Sequence, residues 1–184
     1  MKRWLALAAA CFLLVFADQF SKSMAVAHLL GHGYLPLIGD IIGFEYVENT
    51  GAAFGIFQNM RWIFICSSFL VFAAAIYLVI RLPYVGRFRP IYILLILLIS
   101  GALGNLIDRI RLGYVIDFIY FKLINFPVFN VADCYIVVSV TAFILLVLFY
   151  YKDDELEHII NRIGSFRKDR TDVDSKAHGG EKDA

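Results

Sequence analysis

Three stretches of this 184-residue chain run 18 or 19 residues without a charged side chain: 62–80, 90–107 and 134–151. At 1.5 Å per residue, a helix of that length is about as long as the roughly 30 Å hydrocarbon core of a bilayer. A fourth apolar stretch, 4–17, stops at Asp18, but nothing from Gln19 to Ser23 prevents the helix from continuing into residues 24–30. The expectation is an all-α integral membrane protein with four transmembrane helices. Composition agrees, with 60% of residues hydrophobic and only 18% charged. The net charge of +1 gives no reason to expect nucleic acid as a partner.

Charge is concentrated at the C-terminus, where 15 of the 32 residues from 153 to 184 are Asp, Glu, Lys or Arg. This divides the chain into a membrane domain, 1–152, and a short polar tail, 153–184, expected as frayed helix or disordered chain. Basic residues set the orientation. Lys2 and Arg3 precede the first span and Arg81, Arg87 and Arg89 crowd the second connection, whereas residues 18–61 hold only Lys22 and Arg61. The positive-inside rule then puts both termini in the cytoplasm. The first span could be mistaken for a cleavable leader, with Ala25-Val26-Ala27 as an exit site, and Ala8-Ala9-Ala10-Cys11 faintly resembles a lipoprotein cleavage site, but only seven apolar residues lie between Arg3 and Cys11, and the segment is read as a retained span. Cys11, Cys66 and Cys134 lie in or beside apolar runs and read as buried, inert thiols.

With that orientation, Asp18, Asp108, Asp117 and Asp133 all fall at the outer face. Ionisable groups so close to hydrocarbon are costly and are functional candidates by default. They divide chemically. Asp18 has Lys22 one turn away and Asp108 has Arg109 adjacent, so both are expected ionised, as acceptors that orient other groups. Asp117 and Asp133 have no basic residue within four positions and sit among Val115, Ile116, Phe118, Val131 and Ala132. If they meet, two carboxylates in a low dielectric share one proton, which suits one as base on a water and the other as acid. Asn105, Asp108 and Arg109 share one helix face, and Ser100, Gly101 and Gly104 allow a neighbouring helix to approach closely. A proton- or cation-coupled transporter and a non-catalytic assembly protein remain alternatives. No His-Glu-x-x-His is present to argue for zinc, so neither metal nor cofactor is expected. Residues 34–57, apolar but broken by Pro36, Gly39, Gly43, Gly51 and Gly55, read as a small extracytoplasmic β-element around residues 44–47.

Five motifs then occur in order: Asp18-Gln19-x-x-Lys22, Asn49-x-Gly51-Ala52-Ala53-Phe54-Gly55, Gly101 through Arg109, Val115-Ile116-Asp117-Phe118, and Phe129-Asn130-Val131-Ala132-Asp133. Together they resemble the lipoprotein signal peptidases (signal peptidase II), aspartyl proteases of the bacterial inner membrane. The resemblance spans residues 1–152. It implies four membrane helices, a small outer β-element, and cleavage of prolipoproteins just before a cysteine already bearing diacylglycerol, with membrane lipid around the substrate and a monomer sufficient. It implies Asp117 and Asp133 as the catalytic pair and Asp18, Lys22, Asn49, Gly51, Asn105, Asp108, Arg109 and Asn130 as supporting positions. It also implies that globomycin-type inhibitors occupy the same cleft. Ser100 stands where many members have glycine, and residues 119–126 lack the Trp- and His-containing pattern of some relatives.

Overall fold

Helix α1 runs from Lys2 to Leu29 without interruption, carrying Asp18 and Lys22 through its length. Its polar middle stays helical because Lys22 pairs with Asp18 one turn back, and the Ser21 and Ser23 hydroxyls donate to the Asp18 and Phe20 carbonyls at 2.7 Å. The computed structural model describes residues 2–51, 60–83 and 85–164, so residues 52–55 of the Asn49 motif and the tail beyond 164 lie outside the described residues.

The other long helices are α2 (Arg61–Arg81), α3 (Arg89–Arg111) and α4 (Val131–Phe149). All four are long and apolar enough to cross a membrane. Leu5, Phe12, Trp62, Leu70 and Phe149 are 68–81% exposed. Such a surface is a liability in water and the ordinary one in lipid. Flanking charged residues join α2 and α3, which overrun their uncharged stretches, whereas α4 starts early, at the Asn130 cap, and ends at Phe149, before its stretch does. Helix α3 starts on Pro90 in its first turn and is closed by Gly113, whose φ of 91° is the left-handed conformation that ends helices.

Helix α3 is the hub, with α1, α2 and α4 packed around it. Its glycines make this possible. A Cβ on Gly101 would lie 2.5 Å from the Ala132 carbonyl oxygen, and one on Gly104 would overlap the Asp18 carboxylate. At the end where α1 starts, Val79, Leu82, Ile91, Tyr92, Leu95 and Tyr151 form an apolar cluster that also takes in Ile159. Ile159 belongs to α5 (Asp153–Gly164), so the first part of the polar tail is an ordered amphipathic helix. Glu155 fixes it, accepting from Arg87 Nε at 2.8 Å and Nη2 at 3.0 Å. This ion pair holds the Glu155 carboxyl down at about 2.

At the opposite end lies an antiparallel sheet of three strands in the order β1 (Leu35–Ile38), β2 (Ile42–Asn49), β3 (Val115–Tyr120). It packs on α1 through Ala25, Leu29, Ile116 and Phe118. The β-element foreseen in residues 34–57 is therefore completed by a strand from much later in the chain. All of Val115, Ile116, Asp117 and Phe118 are buried, so β3 has no alternation of polar and apolar residues to betray it. The register pairs Val47 with Asp117 and Asn49 with Val115 across β2 and β3, which sets the carboxylate beside the Asn49 side chain.

Candidate active site

Lys22 organises one half of the site. It is 1% exposed, and its Nζ lies 2.9 Å from Asp18 Oδ2, 2.9 Å from Asp108 Oδ2 and 2.9 Å from Asn105 Oδ1. An ammonium group has three protons, and all three are matched. The remaining oxygens are also occupied. Asp18 Oδ1 accepts from the Ala132 N–H at 2.9 Å, and Asp108 Oδ1 accepts from Gln19 Nε2 at 2.9 Å. A buried cation between two carboxylates is tolerable only when saturated in this way. The sequence suggested Arg109 as the cation beside Asp108, but the ion-pair partner is Lys22 of α1. The correct pairing joins two helices distant in sequence, and only their packing reveals it.

The other half is built on Asn130. It caps α4: its Oδ1 accepts from the Asp133 N–H at 3.0 Å while Asp133 Oδ2 accepts from the Asn130 N–H at 3.1 Å. This reciprocal cap turns the Asn130 amide nitrogen the other way, where it donates to Asp117 Oδ1 at 2.6 Å and to Asn105 Oδ1 at 3.1 Å. Asn105 Nδ2 donates in turn to Asp133 Oδ1 at 2.7 Å, and Asn49 Nδ2 donates to Asp117 Oδ2 at 2.8 Å. Every oxygen of Asp117 and Asp133 thus accepts a hydrogen bond, and Asn130 touches both carboxylates.

Both carboxylates line one cavity of about 610 Å³. Its polar floor is Asn49, Asn105, Asp117 and Asp133. Its apolar wall comes from Phe121, Phe126 and Phe129, with Phe121 and Phe129 stacked at 5.6 Å. Burial first, and then the charge of Asp133, raise the Asp117 carboxyl from 3.8 to about 7 against the opposing pull of the Asn49 and Asn130 amides. Arg109 Nη2 donates to the Gly51 carbonyl at 3.3 Å, while the Gly51 N–H donates to Asn49 Oδ1 at 2.9 Å. This links the end of β2 to α3 and holds Asn49 toward Asp117.

All ten site residues expected from the sequence therefore lie in one connected network. Its motifs, in their order along the chain, match a known pattern. The sequence profile of the family described as signal peptidase (SPase) II covers residues 10–149. The chain belongs to the signal peptidase II family. A lipoprotein signal peptidase from Streptococcus pyogenes serotype M5 (strain Manfredo) is 42% identical over 143 residues, covering 78% of this chain and 91% of that one. Its counterpart from serotype M6 (strain ATCC BAA-946 / MGAS10394) is 41% identical over the same length. A solved bacterial membrane enzyme superimposes with a TM-score of 0.67 at 25% identity, covering 80% of this chain and 92% of that one. Membership makes the chain a multi-pass membrane peptidase, and α5 lies beyond the matched segment.

Two features escaped the sequence reading. Gln19 was visible only as part of a motif, yet it bridges Asp108, Asp18 (3.2 Å) and the Gly104 carbonyl (3.2 Å). Its signal was position: it is polar, one residue after Asp18, in a helix meant for lipid. Cys66, read as buried, is exposed on α2, whereas Cys11 and Cys134 are half-buried.

Proposed function

We propose that this protein removes the signal peptide from diacylglyceryl-modified prolipoproteins, cutting before the lipidated cysteine, with Asp117 and Asp133 as the catalytic pair. The observation that carries the reading is the convergence of both carboxylates on one cavity, with one of them held protonatable near neutral pH.

The surroundings divide the roles. Asp133 sits in the first turn of the 19-residue α4, where the helix N-terminus favours negative charge. It accepts from a backbone N–H and from Asn105, whose own oxygen is polarised by Lys22. Asp117 lies on a strand with neutral amide donors and carries the proton. Asp133 therefore acts as base, taking a proton from a water as the water oxygen attacks the scissile carbonyl carbon. Asp117 gives its proton to the carbonyl oxygen, forming a neutral gem-diol. In the second step Asp117 takes a diol proton as the C–N bond breaks. Asp133 protonates the departing amine, and the pair returns to its starting state. Arg109 supports the arrangement by holding the loop at Gly51.

Orientation follows the same reading. Lys2, Arg3, Arg81, Arg87 and Arg89 gather at the end away from the cavity, which supports cytoplasmic termini and a site facing the outer leaflet of the bacterial inner membrane. The test is incubation of purified protein with a diacylated prolipoprotein, with and without chelator. Leader release should be chelator-insensitive and blocked by a globomycin-type inhibitor. Asp117→Asn and Asp133→Asn should each abolish it in a folded, inserted protein. Near-normal processing by either variant defeats the assignment.

A further inference from the structure

The cavity that holds Asp117 and Asp133 continues past them. It shares Asn105, Arg109 and Ile136 with a second cavity of about 340 Å³, which shares Leu98 and Val140 with a third of about 140 Å³. The lower two form a groove between α2 and α4, with α3 as its floor. Ser68, Val71 and Leu78 wall it on one side, and Ile136, Val140 and Phe143 on the other. The wall offers little polarity, because Ser68 donates back to the Phe64 carbonyl at 2.7 Å and Ser139 to the Ile136 carbonyl at 2.8 Å.

Depth decides what fits. From Asn105 to Leu94 the groove descends α3 by about 16 Å at the helical rise. One leaflet is half of a roughly 30 Å hydrocarbon core, about 15 Å, so the groove is as deep as an acyl chain of the leaflet beside it.

We infer that this groove seats one acyl chain of the substrate's diacylglyceryl group, and that Phe143 and Leu78 at its deep end set the chain length it accepts. The inference rests on the leader-removal reading above. Lipid tails are as apolar as these side chains, so moving a chain from bilayer to groove yields little hydrophobic gain. The groove acts through shape instead, fixing the height of the lipidated cysteine against the two aspartates. The second chain stays in the bilayer.

Two variants and two synthetic lipopeptides test this, one bearing two palmitoyl chains and the other two octanoyl chains. Val140→Trp should block the groove midway and lower kcat/KM on the dipalmitoyl substrate about tenfold or more, a loss of the size that misplacing the reacting group produces. The dioctanoyl substrate should be nearly unaffected. Phe143→Ala should move the optimum toward longer chains. Independently of catalysis, a diazirine at the palmitoyl terminus should crosslink the Asp117→Asn protein at Leu94 or Phe143. Correct crosslinks with no cleavage by the unaltered protein would sink the function reading and leave the groove assignment standing. Equal losses on both substrates, no loss on either, or a loss that tracks leader length would each overturn the groove assignment.

Discussion

Replacing Lys22 with methionine keeps the length of the side chain and removes its charge, leaving Asp18 and Asp108 at 0% and 3% exposure without their cation. Breaking a buried ion pair from one side costs about 3–5 kcal/mol, because the surviving charge has no solvent to turn to. Here both carboxylates keep other donors: the Ala132 N–H and Gln19 for one, Gln19 and the Ile116 N–H (3.3 Å) for the other. The loss should fall at the lower end, about 3 kcal/mol, or roughly two decades in the folding equilibrium. SDS titration in mixed micelles, followed by tryptophan fluorescence, measures it. The deciding comparison is the double variant Lys22→Met/Asp108→Asn, which removes one stranded charge and should regain about 1 kcal/mol or more over Lys22→Met alone. If the two substitutions simply add, or if Lys22→Met stays within about 0.5 kcal/mol of the parent, Lys22 is not the electrostatic keystone described above.

Asp117 gives a pH prediction. Its native pKa of about 7 lies above its ordinary 3.8, so the native form holds a proton that the unfolded chain releases. The stability this contributes is full below 3.8 and is lost as pH rises through about 7; the displacement is worth about 4 kcal/mol. Asp117→Asn should flatten that slope, and kcat/KM of the parent should fall on the alkaline side of about 7. Gly104→Ala drives a methyl group against the Asp18 carboxylate and to 3.2 Å from Ala132 Cβ, and should destabilise by about 1–3 kcal/mol in the same titration. Gly86→Ala, where a Cβ meets nothing within 4 Å, is its neutral control. Truncation after residue 155 removes Leu156 and Ile159 from the apolar cluster but spares the Arg87–Glu155 pair. Turnover should persist with a stability loss of about 2–4 kcal/mol, and an inactive but correctly inserted truncation would show that α5 matters to the site.

The spans were legible because an uncharged run of 18 or 19 residues has few other uses, and Asp117 and Asp133 because their neighbours offer no counter-ion. What stayed hidden was pairing between segments far apart. Lys22 reads as the partner of Asp18 at i,i+4, and its second bond to Asp108 exists only because Gly104 lets α1 press against α3. β3 was hidden for a related reason: packed between α1 and β2, it lost the alternation that marks a strand. The ordered part of the tail was masked by its charge, although Leu156 and Ile159 lie three apart on one face.

One residue ties chemistry to architecture. Asn130 starts helix α4 with one end of its amide and grips Asp117 with the other. A mutation that removes that amide would therefore release the carboxylate and loosen the first turn of a membrane span at the same time. Substitutions in the aromatic wall at Phe121 and Phe126 would reshape the cavity and leave that helix cap untouched.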